Sequence, residues 1–148
     1  MSRPNPSMQF SNAFMKALLR SPLHGMLSAN TLIITLTGRK TGKPVSTPVN
    51  YVADGKQLII TSKPERSWWR NARGGANVEL QLRGKKVDAT AQAIEEPTAV
   101  AVQLGRYLGR APQFARYFNV NQLPDGSFDS GDLAKAAHER VVVLVDLP

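Results

Sequence analysis

The chain has 148 residues, a length that suits one domain with a single hydrophobic core. It contains no cysteine, which excludes disulfides, iron–sulfur clusters and thiol nucleophiles and is typical of a reducing cytoplasm. The net charge of +8 is concentrated between residues 39 and 86, and such a basic field suits nucleic acid, an anionic membrane surface or a polyanionic small molecule.

The N-terminal region, residues 1–30, carries apolar residues at helical spacing, among them Phe10, Phe14 and Leu18. This pattern predicts an amphipathic helix and a connector that pack on a single cofactor-binding domain formed by residues 31–148. Its apolar face would cover a sheet, roof an apolar substrate pocket or make a peripheral membrane contact. No apolar run resembles a signal peptide or a membrane span, so we expect a cytoplasmic protein whose membrane association would be peripheral.

The pattern of β-branched residues and turn signals predicts six strands, over residues 31–37, 45–53, 57–62, 78–82, 86–93 and 141–145. Pro48 cannot donate to a ladder, so its strand should lie at a sheet edge or carry a bulge there. Further helices are predicted over residues 65–73, 97–107, 112–118 and 133–138. Strands that cluster in hairpins favour an antiparallel barrel with helices at its edges, a mainly β architecture.

The turn between the first two strands reads GRKTGKP and combines three cations with two glycines. Gly38 and Gly42 are expected to adopt positive φ and to let a ligand approach the backbone. Arg39 offers a planar fork of donors, while Lys40 and Lys43 offer mobile point charges. The turn therefore predicts a site for a phosphate or a string of carboxylates, and the alternative is a solvated hairpin tip.

A second group of donors lies around the end of the third strand, together with both tryptophans. Ser62 and Lys63 suit the carbonyls or the delocalised anion of a heterocycle, and Trp68 suits packing against its ring. The alternative is that Trp68 and Trp69 are core residues, which we expect of at least one, since adjacent helical residues face different directions. Asn71 would then be a local cap.

Intrinsic catalytic groups are scarce elsewhere. The two histidines, His24 and His138, lie in no ligand-spaced cluster, which argues against a zinc or haem site. The sequence contains no Gly-x-Ser-x-Gly elbow, Walker loop or Gly-x-Gly-x-x-Gly fingerprint. Chemistry is therefore expected from a bound cofactor.

These elements occur in the order and near the spacing of the deazaflavin-dependent nitroreductase and quinone reductase family, which the chain resembles over roughly residues 20–93. The matching elements are LTGRKTGKP at 36–44, Thr47-Pro48, Asp54-Gly55, Thr61-Ser62-Lys63, Trp68-Trp69-Arg70-Asn71 and Ala76-Asn77-Val78. The resemblance implies a split β-barrel of the FMN-binding type, a homodimer, and a reductase that uses coenzyme F-420, an 8-hydroxy-5-deazaflavin with a phosphate and a polyglutamate tail.

Site residues follow from this resemblance. It implies that the tail is held by the basic turn, at Arg39, Lys40, Thr41 and Lys43. It implies that the deazaflavin ring lies near Pro48, Ser62, Lys63, Trp68 and Asn71. Family members often carry an arginine where this chain has Val45, so part of the tail contacts is expected from Arg66, Arg70 and Arg73.

The tyrosine-rich pocket segment of the nitroreductases corresponds to residues 111–117, where this chain keeps one phenol, Tyr117, with Phe114 nearby. We therefore expect an apolar pocket for a quinone, an enone or a nitro compound, with Ser62, Tyr117 or solvent as proton source. FMN is the alternative cofactor, although it would leave much of the cationic field unexplained. A non-enzymatic cofactor- or lipid-binding module is a further alternative. Nucleic-acid binding is disfavoured, because the tryptophans fall on a predicted helix and the strands offer mostly aliphatic residues.

Overall fold

Residues 31–148 are described by the structure, a computed structural model, and the helix predicted within residues 1–30 lies outside this range. The strands are β1 (Thr31–Thr37), β2 (Pro44–Asp54), β3 (Gln57–Ser62), β4 (Ala76–Leu82), β5 (Lys85–Ile94) and β6 (Val141–Asp146). The helices are α1 (Pro97–Arg110), α2 (Ser130–Ala137) and two 3-10 helices, η1 (Trp68–Ala72) and η2 (Pro112–Phe118). Among these, no helix is long and apolar enough to cross a membrane.

The six strands close into a barrel in the order β1-β2-β3-β6-β5-β4, and all neighbouring strands are antiparallel. The barrel follows from the pattern of hairpins, since each short turn returns the chain beside the strand it has just left. This confirms the predicted antiparallel barrel with peripheral helices. Closure also pairs the last strand with both β3 and β5, which buries β6 on both edges.

Strand β2 divides its pairing between two neighbours. Its first part, up to Asn50, is in register with β1, whereas its register with β3 covers only Tyr51–Asp54. Pro48 lies opposite Ile33 of β1, in the part of β2 that β3 does not reach. A proline is tolerated there because its missing N–H interrupts no ladder on the β3 side. The prediction that Pro48 lies at a local edge is confirmed, and this edge borders the cavity described below.

Two apolar clusters hold the domain together. The barrel interior is filled by alternating strand residues such as Ile34 and Ile60, and η1 adds both tryptophans to it. Outside the barrel, Leu104 and Leu108 of α1 pack against Ile59 and neighbouring residues of β6. Each fully buried leucine contributes about 2 kcal/mol of transfer free energy. The second cluster therefore fixes α1, and with it one wall of the cavity, on the barrel.

Three helices differ from the predictions at their boundaries. Helix α1 extends to Arg110 instead of ending at residue 107. The helix predicted over 65–73 is shorter, a 3-10 turn over Trp68–Ala72 whose N-cap, Ser67, makes no side-chain hydrogen bond. Helix α2 begins earlier than the predicted residue 133, because the carboxylate of Asp129 caps it by accepting from the backbone N–H of Asp132.

Candidate active site

The basic turn between β1 and β2 is closed by its own backbone. The N–H of Gly38 donates to the carbonyl of Lys43 at 2.7 Å, and the N–H of Gly42 donates to the carbonyl of Gly38 at 2.8 Å. Gly42 has the predicted positive φ of 70°, but the same prediction for Gly38 is wrong. Gly38 is required for space, since a Cβ there would lie 2.9 Å from Oγ1 of Thr41. The turn thus holds the Lys40 and Lys43 side chains outward and exposed.

The same turn is bound to η1 by polar contacts that span more than thirty residues of sequence. The backbone N–H of Arg39 donates to Oδ1 of Asn71 at 3.0 Å, and Nδ2 of Asn71 donates to the carbonyl of Trp68 at 3.1 Å. The Arg39 guanidinium donates to the carbonyl of Arg73. Asn71 therefore fixes the position of the turn relative to Trp68.

Beside η1 lies a cavity of about 580 Å³, bounded by β2, the end of β3, α1, η2 and the start of β6. Its charged and hydroxyl-bearing walls include Ser62, Lys63, Arg66 and Arg140. Its apolar and aromatic walls include Pro48, Trp68, Tyr107, Phe114, Tyr117 and Phe118. A mostly aromatic cavity with a few convergent polar groups suits a planar organic ligand.

Ser62 and Trp68 form the most rigid polar contact of this cavity. Both are buried, and Nε1 of Trp68 donates to Oγ of Ser62 at 3.2 Å. The Ser62 hydroxyl in turn donates to the carbonyl of Lys63 at 3.2 Å. Because its proton is used within the protein, Ser62 offers a ligand an acceptor lone pair in a fixed position.

Further cations lie in the cavity lining and on η1. Lys63 and Arg66 are exposed, and the Arg66 guanidinium donates to Oγ1 of Thr47 at 3.0 Å. Arg70 lies over the Trp69 ring, with its guanidinium carbon 5.6 Å from the ring centroid. None of these three arginine and lysine side chains forms an ion pair with a carboxylate in residues 31–148.

Arg73 differs from its neighbours. Its guanidinium donates to both carboxylate oxygens of Glu95, at 2.8 and 2.9 Å, and these hydrogen bonds raise the pKa of Arg73. Its charge is therefore largely committed to Glu95, which makes Arg73 a weaker candidate for tail binding than Arg66 or Arg70.

The opposite wall of the cavity is aromatic. Tyr107 and Phe118 meet edge to face, with ring centroids 5.8 Å apart, and Phe114 lies 6.3 Å from Tyr107. Tyr117 stands at the rim and is 63% exposed. Burial raises the pKa of Tyr107, although the charge of Arg140 acts in the opposite direction. The Tyr107 phenol therefore stays protonated near neutral pH.

The predicted site residues fall into two groups in the structure. The cavity is lined by Pro48, Ser62, Lys63, Trp68 and Tyr117. The basic turn and its contact with η1 contain Arg39, Lys40, Thr41, Lys43 and Asn71. Both tryptophans are buried, so the core interpretation holds for each, and Trp68 also borders the cavity. No three His, Asp or Glu side chains are grouped as metal ligands in the described part of the chain.

Several cavity residues were not predicted as site residues, among them Tyr107, Phe118 and Arg140. Tyr107 was included only as the end of a predicted helix, and Arg140 as a residue before the last strand. A signal for Tyr107 was available, since it lies three residues after Leu104 on the apolar stripe of α1. Nothing in the sequence near Arg140 indicates that it reaches the cavity.

The fold is that of the split β-barrel proteins, as solved structures confirm. A protein described as a domain-swapped dimer matches 95% of this chain and 99% of its own, with a TM-score of 0.54 and 18% identity. A putative pyridoxamine 5'-phosphate oxidase from Listeria innocua matches 93% of each chain (TM-score 0.52, 11% identity). The FAD and heme binding protein from Mycobacterium smegmatis matches 87% of this chain and 66% of its own (TM-score 0.50, 15% identity). At these identities the likeness concerns the fold.

A match to a family model places the chain more closely than the fold alone does. Residues 17–123 match the family model of the F-420H(2)-dependent quinone reductases. The match covers most of the chain, which belongs to this family and is an oxidoreductase that depends on coenzyme F-420. The resemblance inferred from the sequence motifs is thereby confirmed.

Proposed function

We propose that the protein transfers a hydride from reduced coenzyme F-420 to an electron-poor acceptor, a quinone or an enone in preference to a nitro compound, bound against the aromatic wall of the cavity. The observation that carries this proposal is the continuity of two sites. A cavity with an aromatic wall and a fixed Ser62–Trp68 pair includes Lys63 and Arg66 in its lining. Asn71 links Trp68 to Arg39 of the basic turn by hydrogen bonds. Few ligands other than a planar ring with a long anionic tail match both.

The chemistry of the donor set fits this coenzyme. Pro48 and Lys43 are five residues apart on and just before β2, a separation of about 16 Å at the rise of an extended strand. Lys63 and Arg66 lie near one end of this span, and Arg39, Lys40 and Lys43 lie at the other. Spaced cations of this kind suit a phosphate followed by several carboxylates better than a single phosphate.

In this proposal two sets of residues bind the coenzyme. Contacts to the ring come from Pro48, Ser62, Lys63 and Trp68, with Asn71 next to them. Contacts to the tail come from Arg39, Lys40, Thr41 and Lys43. When bound, the coenzyme supplies the hydride, and the protein supplies orientation and a water-poor cavity.

The residues of the chain have distinct tasks in the reaction. Trp68 holds the Ser62 hydroxyl in one orientation, so that the ring meets a fixed acceptor group. Phe114 and Phe118 exclude water from the acceptor side and favour planar ligands. The exposed phenol of Tyr117 exchanges protons with solvent at the rim and is the proposed proton source for the reduced acceptor, with water as the alternative.

We also propose a homodimer, because a similar structure that matches 95% of this chain is described as a domain-swapped dimer. Light scattering during gel filtration tests this directly, and a monomer at micromolar concentration would contradict it. The division into a helix within residues 1–30 and a barrel domain over 31–148, and the cytoplasmic location, stay predictions.

A titration of purified protein tests the cofactor proposal. Coenzyme F-420, the same deazaflavin without polyglutamate, and FMN are each followed by tryptophan fluorescence. The full coenzyme should bind most tightly, the tail-less form more weakly, and FMN most weakly. A preference for FMN would instead support the alternative of an FMN-dependent enzyme. Binding of the coenzyme without hydride transfer to any quinone, enone or nitro compound would support a cofactor-binding module.

A further inference from the structure

The aromatic wall contains a buried phenol that the proposed function leaves unused. Tyr107 lines the cavity although it is only 4% exposed, and its ring is held between Phe114 and Phe118. Within residues 31–148 its hydroxyl makes no hydrogen bond to any protein group. In residues 31–148 the only fully buried side-chain polar atom without a partner is Nε1 of Trp69, so the Tyr107 hydroxyl is open to the cavity and can donate to a ligand there.

Arg140 reaches the same part of the cavity from the start of β6. Its guanidinium carbon lies 4.9 Å from the centroid of the Phe118 ring, the ring that also packs against Tyr107. In the described residues, no carboxylate pairs with Arg140. Its charge is felt at the Tyr107 phenol, where it opposes the effect of burial on the pKa. The cavity thus has a cation on its aromatic side, separate from Lys63 and Arg66 at its mouth.

We propose that Tyr107 and Arg140 together bind an oxygen of the acceptor, and that the cavity therefore prefers acceptors with an anionic ring oxygen, such as hydroxyquinones. This inference rests on the proposed function for its hydride step. When a hydride adds to a quinone, the displaced electron pair ends on a carbonyl oxygen. Tyr107 donates a hydrogen bond to that oxygen and Arg140 supplies a positive charge, and both keep their protons. The reduced oxygen then takes its proton from the rim or from water.

Binding of two quinones without coenzyme tests the pair. The probes are 2-hydroxy-1,4-naphthoquinone, which is an anion at neutral pH, and neutral 1,4-naphthoquinone, each followed by quenching of tryptophan fluorescence. Tyr107→Phe keeps the ring packing and should weaken both probes roughly fivefold, the loss expected for one hydrogen bond. Arg140→Met should weaken the anionic probe roughly tenfold and the neutral probe much less. The ratio of the two affinities should therefore collapse only in Arg140→Met.

Two matched variants serve as controls. Tyr51→Phe removes a buried phenol inside the barrel, away from the cavity, and Lys135→Met removes an exposed cation from α2. Neither should change the affinity for either probe. If Arg140→Met does not fold, Arg140→Lys keeps the charge without the planar fork and should retain most of the preference for the anion.

The inference is overturned if folded Tyr107→Phe binds both quinones as the wild type does, or if the controls lose as much affinity as the test variants. Equal binding of the two quinones by the wild type would overturn the preference for anionic oxygen. The quinone titration contains no coenzyme. If the protein failed to bind coenzyme F-420, the proposed function would be refuted, but the quinone affinities would still test the roles of Tyr107 and Arg140. With reduced coenzyme present, Tyr107→Phe should lower kcat as well as raise KM for the quinone, because negative charge grows on the bound oxygen as the hydride adds.

Discussion

The Ser62–Trp68 pair of the cavity is buried and hydrogen-bonded, whereas the lysines of the basic turn are exposed to solvent. In the cavity, Ser62 and Trp68 are buried and fixed by hydrogen bonds to each other and to the backbone. At the turn, Lys40 and Lys43 are exposed, and their side chains form no hydrogen bond or ion pair with another group of residues 31–148. Exposed charges act through a field that salt screens, whereas buried contacts are nearly independent of salt. The turn should thus supply most of the affinity for the coenzyme, and the cavity should fix the orientation of its ring.

The largest expected effect is the loss of two cations from the turn. Replacing Arg39 and Lys40 together by alanine removes two charge-assisted contacts to the proposed tail. The affinity for full coenzyme F-420 should fall about tenfold at low salt, since screening reduces each contact below its full strength. The loss should be smaller for the deazaflavin without polyglutamate, and the salt dependence of binding should flatten.

The β4–β5 hairpin provides a control of equal charge, because Lys85 and Lys86 are exposed cations at the start of β5, and of the two only Lys86 pairs with a carboxylate of the described residues, Glu79 at 3.5 Å. Alanine at both positions changes the net charge by the same amount and should leave coenzyme affinity nearly unchanged. If the two double variants behaved alike, the effect would come from total charge, and the proposed tail site would be wrong.

Ser62→Ala should lower coenzyme affinity less than the loss of the two cations, and its effect should not depend on salt. This change leaves the buried Nε1 of Trp68 without its acceptor, which should lower the free energy of unfolding by about 1–3 kcal/mol. Adding Trp68→Phe removes the stranded donor, so the double variant should lose less stability than the sum of the single variants. Urea denaturation measures all three. Coenzyme affinity should fall by the same factor at low and high salt, and a loss that depended on salt would remove the contrast with the turn.

Asn71 connects the two regions, and its effect should be smaller again. In Asn71→Ala the backbone N–H of Arg39 loses its acceptor, but water can replace it because the contact is exposed. Unfolding free energy should fall by about 1 kcal/mol, and coenzyme affinity about threefold. Asn77→Ala, an exposed change on β4, is the control. Equal results for both variants would show that the turn keeps its position without Asn71.

The strands and the turn were readable from sequence because their causes are local. Alternating β-branched residues predicted β1 and β3 at their observed bounds, and GRKTGKP predicted a cationic turn. Only part of the cavity could be predicted from the sequence. Ser62 and Trp68 lie six residues apart, so their proximity was a local inference, whereas Arg140 reaches the cavity only because β6 pairs with β3. The Arg39–Asn71 contact likewise depends on how η1 packs against the turn.

Gly38 shows a different limit of sequence reasoning. A glycine in a turn predicts positive φ, and Gly42 follows that rule. Gly38 is instead needed because Thr41 folds its hydroxyl back against it, a contact that composition does not reveal. Both glycines serve the same turn, but only the structure separates conformational freedom from lack of space.

The smallest expected effect concerns two partly exposed ion pairs that stabilise the fold rather than bind a ligand. Asp54, in the β2–β3 hairpin, accepts from Arg106 at 2.6 Å and from Arg110 at 2.7 Å, which ties α1 to the barrel. These hydrogen bonds, chiefly the one from Arg106, lower the pKa of Asp54 below its ordinary value.

A carboxyl whose pKa is lower in the folded state than in the unfolded state stabilises the protein at pH values above its unfolded pKa. This contribution disappears as the pH falls through the pKa of the folded state. Asp54→Asn should therefore reduce stability slightly and by a constant amount from neutral pH down to about pH 5, and the difference from wild type should shrink below about pH 4. Thermal denaturation across this range measures it, with Glu79→Gln as a control that removes a single 3.5 Å contact to Lys86. Coenzyme affinity should be the same in Asp54→Asn as in the wild type, because neither Asp54 nor the turn that follows it at residues 55–56 lines the cavity or belongs to the basic turn. A difference that persisted unchanged to pH 2, or a loss of coenzyme affinity, would mean that Asp54 acts through the position of α1 and the cavity wall rather than through its charge.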